Sequence, residues 1–340
     1  MSRYREISSG GWRWRVADEW RASFESGPFA RFEELLNAGR PIKDLHIKRT
    51  VEVRAEGREF LVKIYKRRGA LQSLRTALLG SRATRELQAL LGVLDRGVST
   101  LPFVAVGDRK SESCVIIEKS TDRVRLDILL ATSRRRRPLI EEYGRWARRV
   151  HDAGVTQYDF NPTNVLARHG ADPDLRLIDF EKVTVGRPPS EVGRLRSLAK
   201  IDRMIPASRA DRLRFLKAYF GKDGATYARL RDRVERVVRF AREQRAKDAR
   251  RRRDGCVRES RNYARFRRDR VWGWYRREAV GDAAIAEVAE GSGPWRRVPV
   301  ARAIEAWRAA NGSIGEEPPV AVVLSQGSAR GHLVYVPGAP

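Results

Sequence analysis

A chain of 340 residues, 41% hydrophobic and 33% charged, is long enough for two lobes with sizeable cores and too apolar to be wholly disordered. Its 70 Lys and Arg against 43 Asp and Glu leave a formal charge of +27, which points to an anionic partner: nucleic acid, an anionic membrane leaflet or a phosphorylated substrate. Two cysteines, Cys114 and Cys256, offer neither a disulfide framework nor zinc-ligand spacing, and the longest apolar runs, 114–117 and 320–324, are far too short to span a bilayer.

Residues 1–26 mix Arg, Glu, Asp and Trp and lack the apolar core of a secretory signal, so the chain is expected in the cytoplasm. Residues 1–40 carry Tyr4, Trp12, Trp14, Trp20, Phe24, Phe29 and Phe32 without strict period, an aromatic-rich segment expected to pack onto the body of the protein. Residues 51–54 and 59–65 read as two strands joined by the turn Ala55-Glu56-Gly57, with Phe60, Val62 and Ile64 on one face and Leu61, Lys63 and Tyr65 on the other. A helix over 81–95 aligns Ala83, Leu87, Leu90, Leu91 and Leu94 on one stripe, closes at Gly97 and leaves Glu86 at the stripe's border. Strands at 101–106 and 114–119 complete a small sheet-rich lobe with one helix, residues 41–120.

From Leu139 the apolar spacing changes to three and four, and residues 121–255 read as a larger helical lobe. Its helices fall at 139–150, closed by Gly154, and near 190–204, 208–220 and 225–250. Short strands at 164–167 and 175–178 flank turn residues 170–174. The last helix turns Leu230, Val234, Val237, Val238 and Ala241 inward and is expected to end in solvent at the arginine run 250–253. Residues 256–340 form a C-terminal extension with a helical stretch at 299–310, a strand within 317–324, a turn at 327–331 and a strand at 332–336. That order resembles residues 86–118 and suggests a degenerate or truncated repeat of small-lobe elements, although helix-strand-turn-strand order also arises by chance. The fold class is α+β.

Two segments carry the chemistry: Val-His-Asp-Ala-Gly-Val-Thr-Gln-Tyr-Asp-Phe-Asn-Pro-Thr-Asn-Val-Leu at 150–166 and Leu-Arg-Leu-Ile-Asp-Phe-Glu at 175–181. They present Asp159, Asn164 five positions on, and Asp179 twenty beyond Asp159. Phosphoryl transfer needs a carboxylate to orient an attacking hydroxyl and accept its proton, with an amide oxygen and a second carboxylate to hold magnesium against nucleotide phosphates. Asp159, Asn164 and Asp179 fit those roles. Upstream, Lys63 sits mid-strand between apolar residues, where an unpaired ammonium is costly, and Glu86 on the next helix can pair with it. By contrast, His151 reads as a helix-end residue that packs, and His46, His169 and His332 lack ligand spacing.

This set resembles the protein-kinase-like superfamily. Within it, Val-Lys-Ile-Tyr-Lys at 62–66, Ser-Arg-Ala-Thr-Arg-Glu at 81–86, Gly-Val-Ser-Thr-Leu-Pro at 97–102 and the 151–166 segment are similar to the lipopolysaccharide core kinases, which phosphorylate Kdo or heptose. The resemblance covers roughly residues 45–245. It implies a two-lobed kinase-like fold, ATP and Mg2+ as cofactors, Asp159 as general base, Lys63, Glu86 and Glu118 at the nucleotide, and Asn164 and Asp179 as magnesium ligands. Gln157 stands where the family usually has His, and Glu181 replaces the glycine of the magnesium motif; neither removes a catalytic group, so activity is expected, with a silent kinase-like protein as the alternative. No glycine-rich phosphate loop lies between 45 and 60, and Lys48-Arg49-Thr50 at the hairpin entrance is expected to serve instead.

The resemblance implies a kinase of a lipid-linked inner-core sugar, peripheral at the cytoplasmic face of the inner membrane. The arginine runs 134–137 and 250–253 read as solvated faces or loops, with membrane contact as the competing reading, in which an Arg-rich surface and the N-terminal Trp residues hold the protein at the headgroups. Two rivals remain. A kinase of another small hydroxylated substrate, such as an aminoglycoside or a choline-like molecule, would favour an acidic acceptor pocket. A non-catalytic module binding nucleic acid through its arginines is weakened by a lack of aromatic residues interleaved with basic strands.

Overall fold

The structure, a computed structural model, describes residues 4–45, 47–67, 76–170, 173–204, 208–221, 227–260, 263–268, 271–276, 295–312, 321–325 and 330–334. His46, part of the predicted 170–174 turn, the start of the 225–250 helix, residues 317–320 and 327–329, and the strand end at 335–336 lie outside the described residues. Two compact units divide the chain, Met1–Val238 and Arg239–Pro340.

The first unit begins with a hairpin. Gly10 and Gly11, at φ 57° and 75°, turn β1 (Tyr4–Ser9) back as β2 (Trp12–Ala17), and two short helices come next, α1 (Arg21–Glu25) and α2 (Phe32–Ala38). Then come β3 (Arg40–Leu45), β4 (Lys48–Ala55), β5 (Arg58–Lys66), α3 (Arg82–Asp95), β6 (Phe103–Asp108) and β7 (Glu112–Glu118). These strands form one antiparallel sheet in the order β1-β2-β6-β7-β5-β4-β3. Ser81 caps α3 by accepting from the Thr84 N–H at 3.0 Å, which fixes where the helix starts.

Alternation along β5 gives the sheet its two faces. Phe60 lies beneath the N-terminal segment, with Trp20 and Phe29 each 5.2 Å away edge to face, and the ring contacts continue through Phe24, Trp14 and Phe32. Trp12, Trp14 and Trp20 are only 1%, 1% and 6% exposed. They are core residues, and the expectation that they face lipid headgroups is overturned, because the small lobe would otherwise leave a large apolar sheet face in water. Lys48, Arg49 and Thr50, at the hairpin entrance as expected, open strand β4 and pair with Tyr65, Ile64 and Lys63.

The rest of this unit contains β8 (Arg123–Arg125), α4 (Leu126–Thr132), α5 (Arg136–Asp152), β9 (Val155–Gln157), β10 (Val165–Arg168), β11 (Arg176–Leu177), β12 (Val183–Val185), α6 (Glu191–Met204), α7 (Arg209–Phe220) and α8 (Tyr227–Gly255). Gly144 lets α5 and α7 touch, since a Cβ there would lie 2.5 Å from the Phe215 carbonyl oxygen. β10 pairs with β11 and β8, while β12 pairs with β9. Residues 158–164 and 178–182 therefore run between the same two small sheets, and the two chemical segments are brought side by side. The lobes are stitched by Thr100, whose hydroxyl donates to the Leu177 carbonyl at 2.7 Å, and by Leu177 N–H donating to Ser99.

The boundary between the units falls within α8. The arginines at 250–253 are exposed, but the helix does not end in solvent: Cys256, directly after it, is fully buried with Tyr263, Ala303, Trp307 and Val322 in the second unit's core. That core belongs to β13 (Tyr263–Arg268), β14 (Val271–Arg276), β15 (Trp295–Pro299), α9 (Val300–Gly312), β16 (Ala321–Ser325) and β17 (Arg330–Val334), in the sheet order β13-β14-β16-β17-β15. The strand-helix-hairpin run β15-α9-β16-β17 has the pairing of β5-α3-β6-β7, whereas the preceding hairpin joins the opposite edge of the sheet. Contrary to the sequence reading, β13 and β14 do interleave aromatics with arginine, as Tyr-Ala-Arg-Phe-Arg-Arg and Val-Trp-Gly-Trp-Tyr-Arg. Tyr263 and Tyr275 are nonetheless buried and Trp274 packs on the core, so those three rings serve folding.

Candidate active site

β5 and α3 deliver Lys63 and Glu86 from the small lobe. Lys63 Nζ lies 3.1 Å from Asp179 Oδ1 and 3.9 Å from Glu86 Oε2. Alternation places Tyr65 on the same face as Lys63, where its hydroxyl donates to Glu86 Oε1. Burial alone would lower the Lys63 ammonium, but Glu86 and Asp179 outweigh it and hold the pKa above its ordinary value. Burial pushes the Glu86 carboxyl up against the pull of Lys63 and Tyr65. For Asp179 the burial effect is outweighed by Lys63 and Lys48, and its carboxyl is held below its usual range.

Asp179 adopts φ 66°, a left-handed conformation that costs a residue with a Cβ about 1 kcal/mol or more. Gln157, buried at the end of β9, stabilises it by donating from Nε2 to both the Ile178 carbonyl at 3.0 Å and the Asp179 carbonyl at 2.7 Å. Gln157 thus does the scaffold work expected at the position where the family carries His.

Asp159 is half exposed, and Asn164 Nδ2 donates to its backbone carbonyl at 2.8 Å, which commits the amide nitrogen and leaves the Asn164 Oδ1 available as a ligand. The Asn164 carbonyl in turn accepts from Ile178 N–H at 2.9 Å, tying the first segment to the residue before Asp179. No cluster of three or more His, Cys, Asp or Glu fit for a metal occurs among the described residues. A magnesium ion would accordingly take Asn164 Oδ1 and an Asp179 oxygen and complete its shell with phosphates and water. The residues fit such an ion on a further count. Glu86 Oε2 is buried without a hydrogen bond, and it is the acceptor that Lys63 would satisfy when Asp179 serves another cation.

Glu118 stands apart. Its carboxylate pairs with Arg58 at 3.1 Å, opposite Phe60 in the register, and lines a cavity of about 900 Å³ with Trp20, Arg54, Leu101, Phe103 and Asp122. The structure does not bring the Glu118 side chain to Lys63. Sequence reasoning also missed Lys182, whose Nζ lies 3.0 Å from Asp159 Oδ2 and whose only signal was its place three residues after Asp179. Glu181 binds Lys48 at 2.9 Å, with Arg82 at 4.0 Å.

With that geometry in place, comparison with known proteins gives a match to the lipopolysaccharide kinase (Kdo/WaaP) family over residues 37–219. The chain belongs to this family. It is also 30% identical over 220 residues to the lipopolysaccharide core heptose(I) kinase WaaP of Pseudomonas aeruginosa, an alignment spanning 57% of this chain and 80% of that protein. Among solved structures it is similar to WaaP in complex with acyl carrier protein, at 25% identity and TM-score 0.48 over 69% of this chain and 99% of that one. It is similar as well to a type VIII aminoglycoside-3'-phosphotransferase, at 17% identity and TM-score 0.40 over 61% and 98%.

As a member of the Kdo/WaaP family the protein is a phosphotransferase with a two-lobed, α+β kinase-like architecture. The family match ends at residue 219, so the second compact unit lies outside it.

Proposed function

We propose that the chain is an ATP-dependent kinase that phosphorylates a sugar hydroxyl of the lipopolysaccharide inner core, on Kdo or heptose, as a peripheral protein at the cytoplasmic face of the inner membrane. The observation that carries the reading is the convergence of exposed Asp159, Asn164 and the Lys63-paired Asp179 on two adjacent loops. Lys63, steadied by Glu86, binds the α and β phosphates. Asp159 orients the acceptor hydroxyl and takes its proton as the sugar oxygen bonds to the γ-phosphorus; the bond from that phosphorus to the bridging oxygen breaks and ADP leaves. The chemistry supplied by a bound magnesium ion is neutralisation of phosphate charge. No helix among the described residues is long and apolar enough to cross a membrane, and exposed arginines at 134, 135, 137 and 250–253 supply charge for an anionic leaflet.

The test is incubation of the purified chain with radiolabelled ATP and lipopolysaccharide precursors extracted from a strain lacking the protein. Label should enter an inner-core sugar, as read by mass analysis, and Asp159→Ala should prevent it. Label confined to water-soluble products would overturn the lipid-linked acceptor.

A further inference from the structure

Tyr158 is the residue of the site that folding explains least. It precedes Asp159, and its side chain lies in water, the residue being 58% exposed. Two ammonium groups from different elements nevertheless hold its ring. Lys182 Nζ lies 4.9 Å and Lys200 Nζ, on α6, 4.5 Å from the ring centre. The backbone is fixed with equal care: Lys200 donates to the Tyr158 carbonyl at 2.5 Å, and Tyr158 N–H donates to the Lys182 carbonyl at 2.9 Å. Lys182 also reaches Asp159 Oδ2 at 3.0 Å. An exposed ring and exposed ion pairs add little to a fold. Their convergence from three segments onto the group that meets the acceptor hydroxyl calls for a ligand.

We propose that Tyr158, Lys182 and Lys200 form the acceptor subsite and select a sugar bearing a carboxylate or phosphate near the reacting hydroxyl; this rests on the kinase reading of the centre. The ammonium groups over the ring form charge-assisted hydrogen bonds with an anion, and the part of the ring left exposed offers apolar surface to the C–H bonds of a pyranose. A cationic acceptor such as an aminoglycoside would meet two like charges at the same place. Lys182 has a double task, since it holds the Asp159 carboxylate until the acceptor arrives and then holds the acceptor's anion beside it.

Steady-state phosphate transfer by the full chain tests this with two matched pairs of acceptors: free Kdo with its uncharged methyl ester, and a heptose phosphate with the unphosphorylated heptose. The ratio of kcat/KM for charged over neutral member cancels any loss common to both, including loss acting through Asp159. The wild type should favour the charged member of one pair by about tenfold. That ratio should fall toward one in Lys182→Met and in Lys200→Met, chiefly through the KM of the charged acceptor, and be retained in Lys182→Arg. Which pair responds separates a carboxylate from a phosphate as the recognised group. A ratio near one in the wild type, or a ratio unchanged by either methionine substitution, overturns the subsite. Transfer to none of the four acceptors would overturn the subsite, and failure to label the inner-core sugar of extracted lipopolysaccharide precursors as well would overturn the kinase reading itself.

Discussion

Lys63 faces a choice between two carboxylates, and it is closer to Asp179 at 3.1 Å than to Glu86 at 3.9 Å. That preference predicts how the side chains divide their work. Asp179→Asn or Asn164→Ala should abolish the magnesium-linked part of ATP affinity while leaving the melting temperature nearly unchanged, because both side chains sit at the cleft mouth and not in the core. Asp159→Ala should keep that affinity and lose transfer by about 10²- to 10⁴-fold, since a base acts in the transition state more than in the ground state. ATP titrations with and without magnesium check the contrast; equal magnesium dependence in wild type and both ligand variants would refute the metal assignment.

At the level of elements, the helical lobe is built around a histidine it must keep neutral. His151, at the end of α5, is fully buried, with Nδ1 2.7 Å from the Tyr219 hydroxyl on α7 and Nε2 3.2 Å from Ser197 on α6. Burial, assisted by the nearby charge of Arg194, lowers its pKa to about 4. An unfolded chain takes up this proton near pH 6.5, so the stability tied to neutral His151 is complete above that pH and is lost as pH falls toward 4. The loss amounts to as much as about 3 kcal/mol. Urea unfolding at pH 7 and pH 4.5 should show a steeper acid loss for the wild type than for His151→Gln, whatever the variant costs at neutral pH. Parallel slopes would show that His151 is protonated as easily in the fold as outside it.

For the molecule as a whole the outstanding quantity is the charge of +27. Much of the arginine is spent locally: Arg136 and Arg214 hold Asp211, while Arg123, Arg168 and Arg176 gather on Asp174. The runs at 134–137 and 250–253 keep exposed members in separate compact units. Glutamine in place of either run should weaken sedimentation with anionic liposomes, more at low salt than high, because exposed charges are screened beyond about 8 to 10 Å at physiological ionic strength. Turnover on a soluble acceptor fragment should barely change. Equal, weak retention by anionic liposomes, neutral liposomes and duplex DNA would reduce the charge to composition.

Local pattern determined a good deal of this protein. Period-two alternation placed Lys63 on the opposite face from Phe60, period 3.6 placed α3 and α5, and the spacing of Asp159, Asn164 and Asp179 marked the loops that the fold sets side by side. These are properties of neighbours in the chain, and one sequence records them. Only the tertiary structure decided the rest. The aromatic N-terminus had no period because its rings meet the sheet from a hairpin and short turns, and the partner surface that buries them is Phe60, remote in sequence. Glu118 fell on the face of Phe60, opposite Lys63, because its register partner on β5 is Phe60, a pairing its own strand does not reveal. Lys182 and Lys200 came to Tyr158 through the pairing of β9 with β12 and the placement of α6, contacts between residues that the chain separates by 24 and 42 positions and that no local pattern encodes.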